Sequence, residues 1–415
     1  MGSPHPESAR ESLVHAGRTY AHCDCWGGIG GLVLGLALRQ RGLVAEIFEQ
    51  SSELTEIGAA VALSANATRE IERLGLLDDV AAASTEPTEL IWRDGRAGQR
   101  IAAHPVRPKD AYRKHFGSPY YGIHRSSLQK VLGGAFGRQH LHLGHRLTDM
   151  AVAGSRLKLM FENGVTQDAD LVVGADGVRS VVRRWITGNA GTRYSRTSAF
   201  RGIVPRHCLP SLPDPEAIQF WMGPNAHLLH YAIGAAAEDV NFFAVVEGPD
   251  VWEDDRWVAG AGPGEALAAF RGWHPAVTEM IGAGWIDKRW GLFFVEQPRS
   301  WHRLQAVLIG DAAHGMLPHQ GQGANTTIED AATLASLLAA SSKDDLSVVF
   351  RRYEALRKLR TRAIQRSSWA TNRELHLPDG ARTISARDRR LPLFPDEFGW
   401  IHAYDVMKEV ARGVD

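Results

Sequence analysis

Asp311 stands at the end of an apolar, strand-like run in "AVLIGDAAHGMLPHQGQGANTTIEDAATLASLL" (306–338), where a proline-bounded loop and a glycine-rich turn lead into a helix. A carboxylate after Gly310 can hydrogen-bond a sugar-like polyol. The unpaired N–H groups of the helix start that follows favour negative charge. A second group of residues, Trp26-Gly27-Gly28-Ile29-Gly30-Gly31, opens an apolar helix. In a dinucleotide turn G-x-G-x-x-G the glycines provide a tight turn, close approach to a pyrophosphate and close helix packing. Gly28 and Gly31 occupy the second and third of these positions, and Trp26 replaces the first. Glu49 lies about 20 residues beyond Gly28, the spacing of an acid that bonds a ribose hydroxyl. A third group, "DLVVGADGVRSVVRR" (170–184), is a buried strand ending in Asp176-Gly177, with Arg179 predicted to begin a helix.

The elements needed to position these residues can be read from periodicity. A helix is predicted to about Gln40, a buried strand over 43–50, helices over 67–83 and 125–136, and a hairpin turning at Asn163-Gly164 that leads into "LVVGA". Residues 186–290 hold more aromatics, more prolines and alternating stretches ("AIQFWMG", "HLLHYAIG", "VNFFAVV"), which predicts a separate antiparallel sheet with helix only over 264–283. Helices are expected again from Gly323 to Ala340 and over 346–375. The strand that should lead into the first turn reads Ala21-His22-Cys23-Asp24-Cys25. That is a poor central strand, with Asp24 costly to bury.

Bulk properties narrow the function classes. The 415 residues exceed one compact core. Forty-seven basic and 47 acidic side chains cancel, so nothing global favours nucleic acid or an anionic membrane. The basic stretch "FRRYEALRKLRTRAIQR" reads as a solvated helix face. Three cysteines make no disulfide scaffold, and Cys23-x-Cys25 lacks a second ligand pair for a metal. The longest apolar run, 27–38, is about 12 residues against the roughly 20 that span a bilayer. The start of the chain has no apolar signal core. Together these predict a cytoplasmic protein with no metal, nucleic-acid or membrane partner.

The three groups in this order resemble the FAD-dependent aromatic hydroxylases, single-component flavoprotein monooxygenases with the p-hydroxybenzoate hydroxylase fold. "VVGADGVRSVVR" and "LIGDAAHGMLPHQGQGANTTIEDA" carry the resemblance most specifically. "FRGIVP", "FWMGPNAHLLHY", "GWHPAV" and the tail "HLPDG…ARD…WIHAYD" are similar to the branch holding salicylate hydroxylase, 3-hydroxybenzoate 6-hydroxylase and 6-hydroxynicotinate 3-monooxygenase. The implied fold is α/β: a Rossmann-like FAD-binding domain discontinuous over 20–185 and 290–345, an inserted antiparallel-sheet substrate domain over 186–289, and a C-terminal helical segment over 346–415. The resemblance assigns Gly28, Gly31 and Glu49 to the adenosine end of FAD, and Arg125 to a position along it. Asp176, Gly177 and Arg179 go to a motif shared by FAD and NAD(P)H, and Gly310 and Asp311 to the ribityl chain. Pro318, Gly321, Gly323, Ala324 and Asn325 go to the flavin ring.

The resemblance also implies bound FAD, NAD(P)H as a transient co-substrate, O₂, and a flavin C(4a)-hydroperoxide that hydroxylates a small aromatic or N-heteroaromatic substrate. It is compatible with a homodimer. Such chemistry needs a base near neutrality to draw a proton from a phenol or hydroxypyridine. His227 and Tyr231 are four apart on a predicted strand and so share a face, and His319 follows Pro318 in the flavin loop. These three are the candidate catalytic groups. His230 is expected on the opposite face, and Trp221 either lines the cavity or fills the sheet core. The altered residues at 21–26 favour a second reading, a cofactor-impaired homologue that only binds an aromatic ligand.

Overall fold

The helix Ile29–Arg39 is apolar on every side and buried from Ile29 to Leu38, the pattern of a helix enclosed in a core rather than lying on a surface. The computed structural model describes residues 28–54, 60–252, 257–341, 346–378, 380 and 382–412. Trp26 and the strand expected at 21–25 lie outside the described residues. Next to the first helix runs Gly323–Ala339, also largely buried. The two approach closely because Gly30 has no side chain: a Cβ there would lie 2.6 Å from Thr327 Cγ2.

Short parallel pairs complete this layer. Val172–Gly174 pairs with Ala306–Leu308, and Ile47–Phe48 with Leu141–His142. Val172, Val173, Ala306, Val307 and Leu308 are fully buried, as expected for parallel strands covered on both faces. The strand expected over 43–50 is paired at Ile47 and Phe48, with one isolated bridge at Val44.

The second layer is an eight-stranded sheet ordered 258–260, 288–295, 192–205, 239–247, 226–233, 218–223, 89–94, 100–105. All its pairings are antiparallel except 218–223 with 89–94. The sheet therefore extends beyond 186–289 and takes in 89–105 and 288–295. One face carries Trp221, Leu228, Phe242 and Ala244 against Phe270, Trp273 and Met280 of the flanking helices. The other turns Ile218, Met222, Tyr231 and Ile233 toward Tyr112, Leu375 and Phe394. Trp221 thus belongs to the sheet core on the face away from Tyr231.

The long helix Leu346–Leu375 spans its predicted range. The helix expected over 67–83 is broken into Ala65–Arg73 and Leu77–Ala82, because Gly75 turns left-handed at φ 75°. The helix expected over 264–283 is likewise two, the second starting at Pro275, where a missing N–H costs nothing. Among the described residues no helix is long and apolar enough to cross a membrane.

Candidate active site

Two helix N-termini, Ile29 and Gly323, open onto one cleft, together with the turn after Ala306–Leu308. Gly28, Glu49, Arg125, Gly177, Gly310, Asp311, Gly323 and Ala324 line it. Glu49 is buried, and its Oε1 accepts from the Ser51 N–H at 2.8 Å. Gly310 has φ 58°, and a Cβ there would sit 2.6 Å from Thr327 Oγ1. Asp311 begins the short helix Asp311–His314, and burial pushes its carboxyl above the ordinary value despite His314, Arg125 and Arg183 nearby. N–H groups at both helix starts, with acceptors at Glu49 and Asp311, suit a ligand that is anionic in its middle and carries hydroxyls on either side. FAD has that character, and the missing side chains at Gly30 and Gly310 let both turns close onto Thr327 in the cleft wall.

Several expected residues serve this cleft from behind. Gly31 is buried inside its helix, and Gly30 forms the wall in its place. Both Asp176 carboxylate oxygens are engaged by Ser180 Oγ, Val181 N (2.6 Å) and Val182 N (3.1 Å). Asp176 therefore caps the following helix, which starts at Val181 rather than at Arg179. Burial raises its carboxyl, and those hydrogen bonds oppose the rise. Arg179 instead faces an adjoining groove, with its guanidinium 5.6 Å from the Trp257 ring centre. Pro318 opens a single 3-10 turn, and Gly321 ends it at φ 63°. Asn325 pins that turn down. Its Oδ1 accepts from Ser64 N at 2.9 Å, and its Nδ2 donates to Ala62 O at 2.9 Å and Gly321 O at 2.6 Å.

Sequence reasoning missed the charged layer beneath. Asp330 accepts from Gly310 N (2.9 Å), His314 Nε2 (2.5 Å) and Arg357 Nε (2.7 Å). Glu329 accepts from Asn66, Arg357 and two nitrogens of Arg360. Burial would raise both carboxyls, but Arg360 and Arg357 around Glu329, and His314 and Arg357 around Asp330, hold them below the ordinary range. Arg183 ties the 176–180 turn to this layer by donating to Ala312 O at 2.7 Å. The available signal was an adjacent Glu-Asp pair on the apolar face of "TTIEDAATL".

A second polar group lies where the sheet meets the Pro318 turn. The His227 and His319 rings are 5.2 Å apart, edge to face. His227 Nδ1 is 2.6 Å from Nε2 of His376, which sequence reasoning also missed. His376 Nδ1 is 2.5 Å from Glu247 Oε1. Neither ring nitrogen of His319 has a hydrogen-bond partner, and the ring borders a small, mostly apolar cavity with Tyr120, Phe220 and Met222. Burial pushes His227 well below its ordinary value, with His376 and His319 adding to the effect, and holds His319 at about 3.

Tyr231 is on the His227 face but about 13 Å farther along the strand. It packs on Gly122, and burial raises its phenol. The structure thus brings His227 and His319 together and leaves Tyr231 outside their contact. His230 lies with Trp221 on the opposite face. Among the described residues no cluster is arranged to hold a metal ion.

Comparison with known proteins places this geometry. Residues 27–368 match the family described as FAD binding domain. A 3-amino-4-hydroxybenzoate 2-monooxygenase from Streptomyces platensis is 35% identical over 381 residues, covering 91% of this chain and 94% of its own. A 6-hydroxynicotinate 3-monooxygenase from Bordetella bronchiseptica is 29% identical, covering 82% and 88%. The solved salicylate hydroxylase substrate complex superposes with a TM-score of 0.80 at 25% identity, covering 95% of this chain and 97% of its own.

Proposed function

The chain belongs to the FAD binding domain family as one of its FAD-dependent aromatic monooxygenases, and on that premise we propose that it uses NAD(P)H and O₂ to hydroxylate a small phenolic or hydroxy-N-heteroaromatic acid. The observation that carries this reading is His227 against His319 at the cavity edge, both buried, with the His319 nitrogens unpartnered. Hydroxybenzoates, salicylate and hydroxynicotinate are the substrate types, with 3-amino-4-hydroxybenzoate the first to try because the 35%-identical relative is named for it.

Gly28, Gly30, Gly177, Gly310, Gly323 and Ala324 would offer backbone to FAD, Glu49 and Asp311 would accept from its hydroxyls, and Arg125 would lie along it. Pro318 and Gly321, held in place by Asn325, would shape the turn beside the ring. Held there, FAD would supply the redox chemistry that links NAD(P)H and O₂ to the aromatic ring. The residues of this chain do the rest. His227, which burial keeps neutral and holds below the near-neutral basicity expected for this role, accepts the substrate hydroxyl proton and so makes the ring electron-rich. His319 hydrogen-bonds the ring substituents, and Phe220 and Met222 exclude water.

In this reading the FAD-binding body is built from 20–185 and 290–345, with 89–105 and 290–295 given over to the sheet. Residues 186–289 roof the substrate and 346–415 close the cavity. Three cysteines, too few for a disulfide scaffold, fit a reducing, cytoplasmic setting. A panel of aromatic acids tested for stimulated NAD(P)H oxidation, O₂ uptake and a product heavier by one oxygen checks the proposal. A protein that stays colourless after attempted FAD reconstitution yet still binds an aromatic acid would favour the cofactor-impaired reading.

A further inference from the structure

We propose that His376 and Glu247 form a proton path from His227 to solvent, so that the proton taken from the substrate leaves through the sheet rather than through the cavity. This rests on the reading of His227 as the base. The contacts fix the direction of the path. Glu247 lies on the strand Asp239–Glu247, and its side chain is 45% exposed, whereas that of His376 is 3% exposed.

A carboxylate only accepts, so His376 Nδ1 carries the hydrogen toward Glu247 Oε1 at 2.5 Å. In the neutral ring His376 Nε2 is then the acceptor, and the 2.6 Å contact obliges His227 to donate from Nδ1. His227 Nε2 is left with its lone pair free to act as base.

The transfer balances as a relay. The substrate O–H bond breaks as a bond forms to His227 Nε2, and the Nδ1 proton passes to His376 Nε2. The His376 Nδ1 proton passes to Glu247, whose carboxyl releases it to water. No electrons change hands, and the cycle closes when His227 Nε2 gives its proton to the product oxyanion while a proton from water re-enters through Glu247 and His376, restoring both tautomers. His319 offers no rival route, because its nitrogens make no hydrogen bond that leads outward. His376 and Glu247 touch His227 rather than the substrate, and so act through it as positioning residues.

The oxidised holoenzyme is mixed with 3-amino-4-hydroxybenzoate in a stopped flow, and ionisation of the bound phenol is read by ultraviolet absorbance. His376→Gln should slow ionisation by about tenfold or more while the probe's Kd moves less than about twofold, since a lost proton acceptor typically costs 10²–10⁴ in rate and not in binding. Glu247→Gln, at the exposed end, should slow it by about threefold, because water can replace a surface acceptor but not the buried ring.

Wild-type ionisation in His376→Gln, or in Glu247→Gln should the first variant fail to fold, overturns the proposal. Ionisation lost in His227→Asn but kept in His376→Gln overturns the relay alone, whereas ionisation kept in His227→Asn overturns the base reading as well. A measurement that needs no probe is ¹⁵N NMR of the histidine rings. Hydrogen on His376 Nδ1 is expected, and hydrogen on Nε2 contradicts the path.

Discussion

Two buried polar groups flank the Pro318–Asn325 turn, and they are built on opposite principles. Under the FAD cleft, Glu329 and Asp330 are surrounded by Arg357, Arg360, His314 and the Gly310 N–H, so every carboxylate oxygen accepts a hydrogen bond. Across the turn, His227, His319 and His376 are equally buried, but burial keeps His227 and His319 neutral, and His319 has no partner at either nitrogen. Paired charge in a core is costly to break and makes a rigid scaffold. Neutral rings with unused hydrogen-bonding capacity are poised for a ligand. On the proposed reading, the difference separates what would hold the cofactor seat from what would handle the substrate.

Perturbing each side should give distinct results. Asp330→Ala leaves Arg357 Nε and His314 Nε2 without their buried acceptor and frees the Gly310 turn, although Arg357 keeps Glu329. It should cost about 3–5 kcal/mol of stability, the usual penalty for half of a buried pair, and FAD retention should fall with the melting temperature. His227→Asn should lower kcat by about 10²–10⁴-fold with FAD content and melting temperature close to wild type. Collapse of the fold in that variant would erase the distinction between the two groups.

Acid should separate the two sides by pH. His319 sits at about 3 in the folded protein against an ordinary 6.5. The unfolded chain therefore takes up a proton that the folded one refuses, and stability is full above pH 6.5 and drains away as the pH falls toward 3. At pH 5 this amounts to about 2 kcal/mol, so His319→Gln should be less acid-labile there by denaturant titration. Glu329 and Asp330, held below the ordinary carboxylate range, keep their contribution until the pH reaches ordinary carboxylate values and lose it from there down through their lowered ones. The smallest effect is steric. Gly30→Ala drives a methyl to 2.6 Å from Thr327 Cγ2 and should cost about 1–3 kcal/mol, with Thr327→Ser, which lacks that methyl, restoring much of it in a double-mutant cycle.

Much of the cleft was legible because turn chemistry and hydrophobic periodicity are local. Gly28, Glu49, Gly310 and Asp311 announce themselves through strand ends and helix starts, and the helices 125–136 and 346–375 follow their predicted ranges. The shared face of His227 and Tyr231, with His230 opposite, follows from the two-residue period of a strand. What was hidden depends on partners far away in sequence. Asp176 reads as a ligand residue in a Gly-Ala-Asp-Gly strand end, but only the fold shows its oxygens filled by Ser180, Val181 and Val182. Gly30 and Gly31 cannot be told apart until Thr327 is seen against the first. The sheet's use of 89–105 was obscured because pairing of 89–94 with 218–223 bridges more than a hundred residues of intervening chain. His376 lies 149 positions from His227, and although it opens the quoted "HLPDG" tail, nothing local assigns it a role beside His227.

The most direct measurement is product formed per FAD in a single turnover, with wild type and His227→Asn each reduced anaerobically by NAD(P)H and then mixed with O₂ and 3-amino-4-hydroxybenzoate. The account predicts equal rates of reduction in both proteins, hydroxylated product from the wild type, and at least about tenfold less from the variant. Equal product from both would contradict it.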